Sequence, residues 1–217
     1  MDLDARFDAY AELLLKENDK QNLISRRAGR EEIKSHIRDS LALTGFIPLE
    51  DETLVDLGSG AGFPGLMLAI ACPRLEVTLL ESDLKKCDFL SRCAGELDLS
   101  RVTVLRERAE VIGQSSAWRG HFDLCTSRAV AAARVLLEYG LPLLKEGGRQ
   151  LMWKSSGWQQ EMSEAQNALT VLGGRYDTIW NYDLTGDKDR CIIAVRKTAP
   201  TPDAYPRRTG VPSKRPL

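Results

Sequence analysis

Apolar positions in the first fifty residues repeat at helical spacing. Leu3, Phe7, Tyr10 and Leu14 fall four, three and four apart, on one face of an amphipathic helix. Ile33, Ile37 and Leu41 mark a second helix inside EEIKSHIRDSLAL, and the polar stretch NDKQNLISRRAGR between the two reads as a turn region. The period then changes. Short runs with strand character alternate with longer runs of helical period: TLVDL, then a glycine loop and a helix from about Pro64; EVTLLES and LKKCDFLSRCAGEL; VTVLRER and a short weak helix; FDLCTSRA and AAARVLLEYGLPLL; RQLMWKS and WQQEMSEAQNALTVL. This alternation predicts an α/β domain, a mostly parallel sheet with helices on both faces. RYDTIWNYDL and RCIIAVRK close the series with only TGDKD between them. That connection is too short for a parallel crossover, so an antiparallel β-hairpin is expected.

Three parts follow: a helical segment over residues 1–50 packed on the core, the main α/β domain over 51–198, and a tail over 199–217. Composition leaves this reading intact, with 217 residues, 43% hydrophobic and 28% charged, as in ordinary globular domains. Charge adds something once it is split. The whole chain carries a formal −1, yet from Arg196 onward six basic residues face one acid, Asp203. Five prolines (Pro200, Pro202, Pro206, Pro212 and Pro216) exclude a regular helix or central strand there. The tail is expected to be either a solvated end or a cationic arm on phosphates, with Tyr205 as a stacking face.

The chemistry centres on LVDLGSGAGFPGLMLAI, Leu54–Ile70. Gly60, Gly62 and Gly65 spell the dinucleotide pattern G-x-G-x-x-G; Asp56, Gly58, Gly60 and Gly62 spell D-x-G-x-G-x-G, favoured by S-adenosylmethionine (SAM) methyltransferases. Element order separates the two. Five βα units closed by a hairpin match the Rossmann-like methyltransferase sheet, and no length remains for the further strands and substrate domain of a dehydrogenase. Glycines admit a ligand close to the backbone, and Asp56 is placed to attract an amino group, directly or through water. Glu81, ending the second strand, suits ribose hydroxyls. Ala109 and Glu110 after the third strand border an adenine. Arg128, ending the fourth, can pair with a cofactor carboxylate or an RNA phosphate.

Other chemistries are disfavoured. Cys72, Cys87, Cys93, Cys125 and Cys191 are odd in number and scattered, the pattern of reduced thiols in a cytoplasmic protein. Two histidines, His36 and His121, give little basis for a zinc site, and no metal is expected. No run is apolar for long enough to span a bilayer, and the acidic start MDLDARFDAY does not read as a signal peptide. Nothing indicates oligomerisation, so a monomer is expected. The N/D-P-P-Y/F motif of exocyclic-amine methyltransferases is replaced by Ser127-Arg128-Ala129-Val130, which argues against adenine or cytosine amines as acceptors.

DLGSGAGFPG, with NLISRR and HIRDSLAL before it, SRAV after it and YPRRTGVPSKRPL at the end, resembles the GidB (RsmG) family from about Tyr10 onward. The resemblance implies SAM-dependent methylation of guanine N7 in 16S rRNA of the small ribosomal subunit, with S-adenosylhomocysteine as product. It places Gly58, Phe63, Ala109, Glu110 and Arg128 at the cofactor, and Asn22, Arg27, His36 and Asp39 on helical motifs closing over the site. N7 carries no proton at neutral pH, so no general base is expected; Arg128, His36 and Asp39 are candidate orienting groups. Arg27, Lys154, Arg207, Arg208, Lys214 and Arg215 are candidate RNA contacts. Three alternatives stay open: a SAM methyltransferase for a small molecule or protein, an NAD-dependent oxidoreductase, and a non-catalytic RNA-binding module.

Overall fold

The structure is a computed structural model that describes residues 2–184 and 187–217. Helices α1 (Leu3–Asn18) and α2 (Arg30–Leu41) lead into a 3₁₀ turn at Ala42–Gly45. The alternating part runs β1 (Thr53–Leu57), α3 (Gly65–Ala71), β2 (Glu76–Glu81), α4 (Leu84–Glu96), β3 (Val102–Arg106), α5 (Ala109–Ile112), β4 (Phe122–Arg128), α6 (Ala133–Gly140), β5 (Leu144–Lys154), α7 (Trp158–Glu164) and α8 (Gln166–Leu172). Strands β6 (Gly174–Leu184) and β7 (Asp187–Lys197) and a short α9 (Val211–Lys214) complete it.

The seven strands lie in the order β3-β2-β1-β4-β5-β7-β6. β1 to β5 are parallel, and β7 is antiparallel to both β5 and β6. Successive residues of the central strands enter opposite cores, as the period of two requires. Leu54 joins the side formed by α1 to α4, with Tyr10, Leu14, Ile33, Ile37 and Phe89. Val55 and Leu57 join the side formed by α5 to α8, with Leu136, Leu137 and Leu169. The apolar stripe of α1 is buried at its C-terminal half: Tyr10 and Leu14 are fully buried, Phe7 packs partly against the core, and Leu3, in the first turn, is 46% exposed; the Asp2 carboxylate caps that turn, accepting from Ala5 N–H at 2.8 Å. The N-terminal helices thus share one core with the sheet.

Element limits differ from the pattern in four places. WQQEMSEAQNALTVL is two helices, α7 and α8, because Ala165 N–H returns to Met162 O and tightens the turn there. AAARVLLEYGLPLL leaves the α-helix at Gly140 and continues as a 3₁₀ turn around Pro142, whose missing N–H cannot extend the ladder. β5 then starts at Leu144, ahead of RQLMWKS, and the register against β4 shifts between Phe122 and Leu124. The hairpin strands pair as far as Leu184 and Asp187, deeper into TGDKD than the sequence indicates; Thr185 and Gly186 lie outside the described residues.

The tail is neither a solvated end nor a free arm. Arg119 of the loop before β4 donates to the carbonyls of Thr201 and Tyr205 at 2.6 and 2.7 Å, and Gln114 donates to Pro206 O at 2.8 Å. Buried Lys197 donates to Leu141 O and to the Thr201 hydroxyl. Arg207 embraces Glu138 of α6 through its backbone N–H, Nε and Nη2 at 2.6–2.8 Å, and Glu138 is fully buried. Gly113 meets the ring of Pro206 so closely that a Cβ there would lie 2.6 Å from its Cγ. A segment with little apolar content is fixed by polar bonds to buried partners. Among the described residues, no helix is long and apolar enough to cross a membrane.

Candidate active site

Strand order reverses between β1 and β4, and in open α/β sheets the crevice outside the strand C-termini at that point receives ligands. The glycine loop fills this position. Gly58, Gly60 and Gly62 have φ of 64°, 56° and 102°, a region L-residues rarely adopt. Gly58 faces Val130 of the β4–α6 loop; a Cβ there would stand 3.0 Å from its methyl. Gly58 and Ser59 both donate to Leu80 O, so the loop is stitched to the end of β2. The Glu81 carboxylate completes the stitch, accepting from Gly60 N–H at 3.1 Å and from Ser82 and Asp83 N–H at 2.7 and 2.9 Å.

Asp56 departs from the expectation of an amino-group ligand. Its side chain is fully buried beneath the first turn of α3. Oδ2 accepts from Gly65 N–H at 3.2 Å and Oδ1 from the Thr126 hydroxyl at 2.7 Å. A Cβ on Gly65 would lie 2.5 Å from Asp56 Cβ, so glycine is required there by close approach. Asp56 therefore ties β1, β4 and α3 together and does not reach a ligand directly. Burial, the largest influence, pushes its carboxyl up to about 6 from 3.8. Between those values the folded chain holds a proton that the unfolded chain has lost, so stability falls as pH rises through that window. Asp56→Asn keeps both hydrogen bonds if the Thr126 hydroxyl turns to accept. It is expected to flatten the dependence of urea-unfolding stability on pH between about 4 and 6 without loss at neutral pH. An unchanged slope would show that Asp56 is not its source.

Across the crevice, the β4 terminus meets α2. Arg128 Nη1 donates to Asp39 Oδ2 at 2.7 Å and lies 3.5 Å from His36 Nδ1; its guanidinium sits 4.7 Å from the centroid of the Phe63 ring. Asp39 is buried and fully engaged: Tyr182 of β6 donates its hydroxyl to Oδ1 at 2.6 Å, and Trp153 of β5 donates Nε1–H to its carbonyl at 2.8 Å. His36 packs on Phe63 with ring centroids 5.3 Å apart, and Tyr10 meets that ring in a T-shaped contact at 5.7 Å. Burial, then the charge of Arg128, holds the His36 imidazole below its ordinary range, so it is neutral at physiological pH. The Tyr10 hydroxyl donates to Ala61 O, fastening α1 to the glycine loop.

The remaining predicted residues are more dispersed. Ala109 and Glu110 open α5 beside the C-terminus of β3, and Glu110 Oε1 accepts from Gly210 N–H of the tail at 2.8 Å. Lys154 is mostly buried, donating to Glu161 at 2.6 Å and to Ala131 O at 3.1 Å, which braces the β4–α6 loop. Arg207 is committed to Glu138. Arg27, Arg208, Lys214 and Arg215 face solvent, and Asn22 is exposed, accepting from Arg26 Nε at 2.8 Å. Sequence reasoning missed Tyr182, Trp153 and Tyr10, whose polar atoms lock the two sides of the crevice.

A family model described as rRNA small subunit methyltransferase G (GidB) matches residues 4–186. The chain belongs to the GidB family. GidB-type relatives named ribosomal RNA small subunit methyltransferase G agree along nearly the whole length. The Syntrophomonas wolfei protein is 48% identical over 208 residues, covering 96% of this chain and 97% of its own. The Carboxydothermus hydrogenoformans protein is 43% identical over 212 residues, covering 97% and 90%. Among solved structures, a SAM-dependent methyltransferase from Aquifex aeolicus superposes with a TM-score of 0.58 at 15% identity, covering 76% of this chain and 92% of that one. GidB membership on this fold favours methyl transfer over the oxidoreductase reading of Gly60, Gly62 and Gly65.

Proposed function

We propose that this GidB protein transfers a methyl group from SAM to N7 of a guanine in small-subunit rRNA. The observation that carries the reading is the glycine loop at the β1/β4 switch point, faced by Arg128 and the α2 side chains His36 and Asp39. The near-full-length relatives, named for that reaction class, support the acceptor.

The residues present fit SAM. Three left-handed glycines keep side chains off the loop, and a Cβ on Gly60 would meet nothing closer than Gly58 O at 3.7 Å, so that position is open. Glu81 ends β2 where a carboxylate suits ribose hydroxyls. Ala109 and Glu110 would border the adenine, and Phe63 would form an apolar wall beside it and Arg128. SAM supplies an electrophilic methyl on a sulfonium.

The work left to the protein is alignment. Guanine N7 presents an in-plane lone pair and no proton, so no side chain needs to create the nucleophile. Arg128, oriented by Asp39 and stacked on Phe63, would hold a cofactor carboxylate or an RNA phosphate in a fixed place. Neutral His36 adds no second cation to the crevice. α1 and α2 close one wall through Tyr10 and Asp39 and exclude water from that side. Arg27, Arg208, Lys214 and Arg215 would supply phosphate contacts, with an affinity that falls as salt rises.

The test uses methyl-labelled SAM and small ribosomal subunits from cells lacking this activity, followed by nucleoside analysis. Label in N7-methylguanosine at one rRNA site is the expected result. Label absent from RNA, with SAM still bound, would move the acceptor to a small molecule or a protein.

A further inference from the structure

A second aromatic cluster lies outside the crevice, at the outer edge of the sheet. Phe46, following the 3₁₀ turn after α2, is 37% exposed. Its ring stacks on Trp180 of β6, with centroids 5.6 Å apart and planes within 15°, and approaches Tyr182 at 6.5 Å. Arg38 of α2, Ala42, Phe46, Tyr182, Asp183 and Leu184 line an open cleft of about 400 Å³ there. Arg38 is exposed beside this cleft. Arg190 of β7 is in cross-strand register with Tyr182, and its charge acts on both Tyr182 and His36. Asp183 is the acid of the lining.

The same tyrosine links this cleft to the crevice. Its ring lines the cleft, while its hydroxyl holds Asp39, which holds Arg128. α2 contributes Arg38 to one site and Asp39 to the other, on adjacent positions.

We propose that Phe46, Tyr182 and Arg38 form a platform for an unpaired RNA nucleotide flanking the methylated guanine. The inference rests on the rRNA reading above and adds a subsite to it. Phe46, backed on one face by Trp180 and flanked by the tilted ring of Tyr182, with a guanidinium at the margin, suits a base and its phosphate, because stacking needs no particular base and the cation meets the backbone. The 300–1,000 Å³ range of small-ligand sites includes the size of this cleft. Tyr182, shared between the cleft and the Asp39–Arg128 pair, is what puts a flanking nucleotide next to the crevice. Phe46 and Arg38 therefore orient the substrate strand and take no part in the chemistry.

The experiment measures methyl transfer to small subunits at varied subunit concentration for the wild type, Phe46→Ala, Phe46→Leu, Phe46→Tyr and Arg38→Gln. SAM dissociation constants and melting temperatures are measured alongside. Phe46→Ala and Phe46→Leu are expected to raise KM for subunits about tenfold and to leave SAM affinity unchanged, while Phe46→Tyr stays near the wild type. Arg38→Gln, on an exposed helix position, is expected to raise KM several-fold and to make binding of a fluorescent single-stranded oligoribonucleotide less sensitive to salt. Wild-type KM in both Phe46→Ala and Phe46→Leu would overturn the platform. So would restoration by leucine as full as by tyrosine, which would mean apolar packing alone. If the wild type itself modifies no RNA, it is the rRNA reading that fails.

Discussion

Replacing Arg207 with methionine is expected to lower the stability of the fold by about 3 kcal/mol. Glu138 is fully buried in α6, and Arg207 is the residue that neutralises it, through Nε, Nη2 and its own backbone N–H. Removing one member of a buried pair strands the other charge in a medium that cannot solvate it, at a cost of ~3–5 kcal/mol. The lower end applies here, because the Arg207 side chain is 26% exposed and its backbone N–H remains. For a chain of this size the loss corresponds to a melting temperature lower by about 6–12 °C. Arg207→Met combined with Glu138→Gln should recover most of it, since the neutral amide still accepts the backbone N–H and no charge is buried. Thermal unfolding of the single and double variants decides this. An Arg207→Met midpoint within two degrees, roughly half a kcal/mol, of the wild type would show that water reaches Glu138.

The second large effect falls on turnover. Arg128→Met is expected to lower kcat/KM for small subunits by about 100-fold, the scale of a misplaced reactant. The cation stands 15% exposed at the end of β4, with its direction set by Asp39 and its face against Phe63. Calorimetric titration with SAM separates its two possible targets. A matching loss of SAM affinity assigns the guanidinium to the cofactor carboxylate; a preserved affinity with a raised KM for subunits assigns it to an RNA phosphate. Tyr182→Phe deprives Asp39 of one donor but leaves Arg128 in place, so a smaller loss, about tenfold or less, is expected. Arg128→Met turning over within threefold of the wild type would remove the arginine from the site.

Much of the fold was legible because its signals are local. TLVDL and EVTLLE are apolar runs short enough to be strands, and the glycines between the first strand and α3 announce a tight turn. The hairpin followed from connection length alone. The break at Ala165 was not legible, since no Gly or Pro marks it and the sequence on either side keeps one helical period. The site was partly legible. Residues on the loop and at strand ends could be placed by counting, as Arg128 and Glu81 show. Asp56 was placed correctly on the strand, but its bonds to Gly65 and Thr126 were not legible, because its burial depends on α3 packing over it through Gly65. Tyr182 escaped altogether. It is one of several tyrosines, and its partner Asp39 lies 143 positions away in sequence. The anchoring of the tail escaped for the same reason: six cations and five prolines do not show that Arg207 meets the buried Glu138, 69 positions earlier.

The Arg207–Glu138 pair also has a consequence in time. Glu138 leaves the ribosome 69 positions ahead of the residue that neutralises it, an interval on the order of ten seconds at ordinary rates of synthesis. During that interval α6 cannot seat against the sheet without either a buried lone charge or a proton borrowed from solvent. Seating α6 with Glu138 ionised and paired therefore waits until Arg207 has been made, which gives the C-terminal segment the last word in closing that face of the sheet.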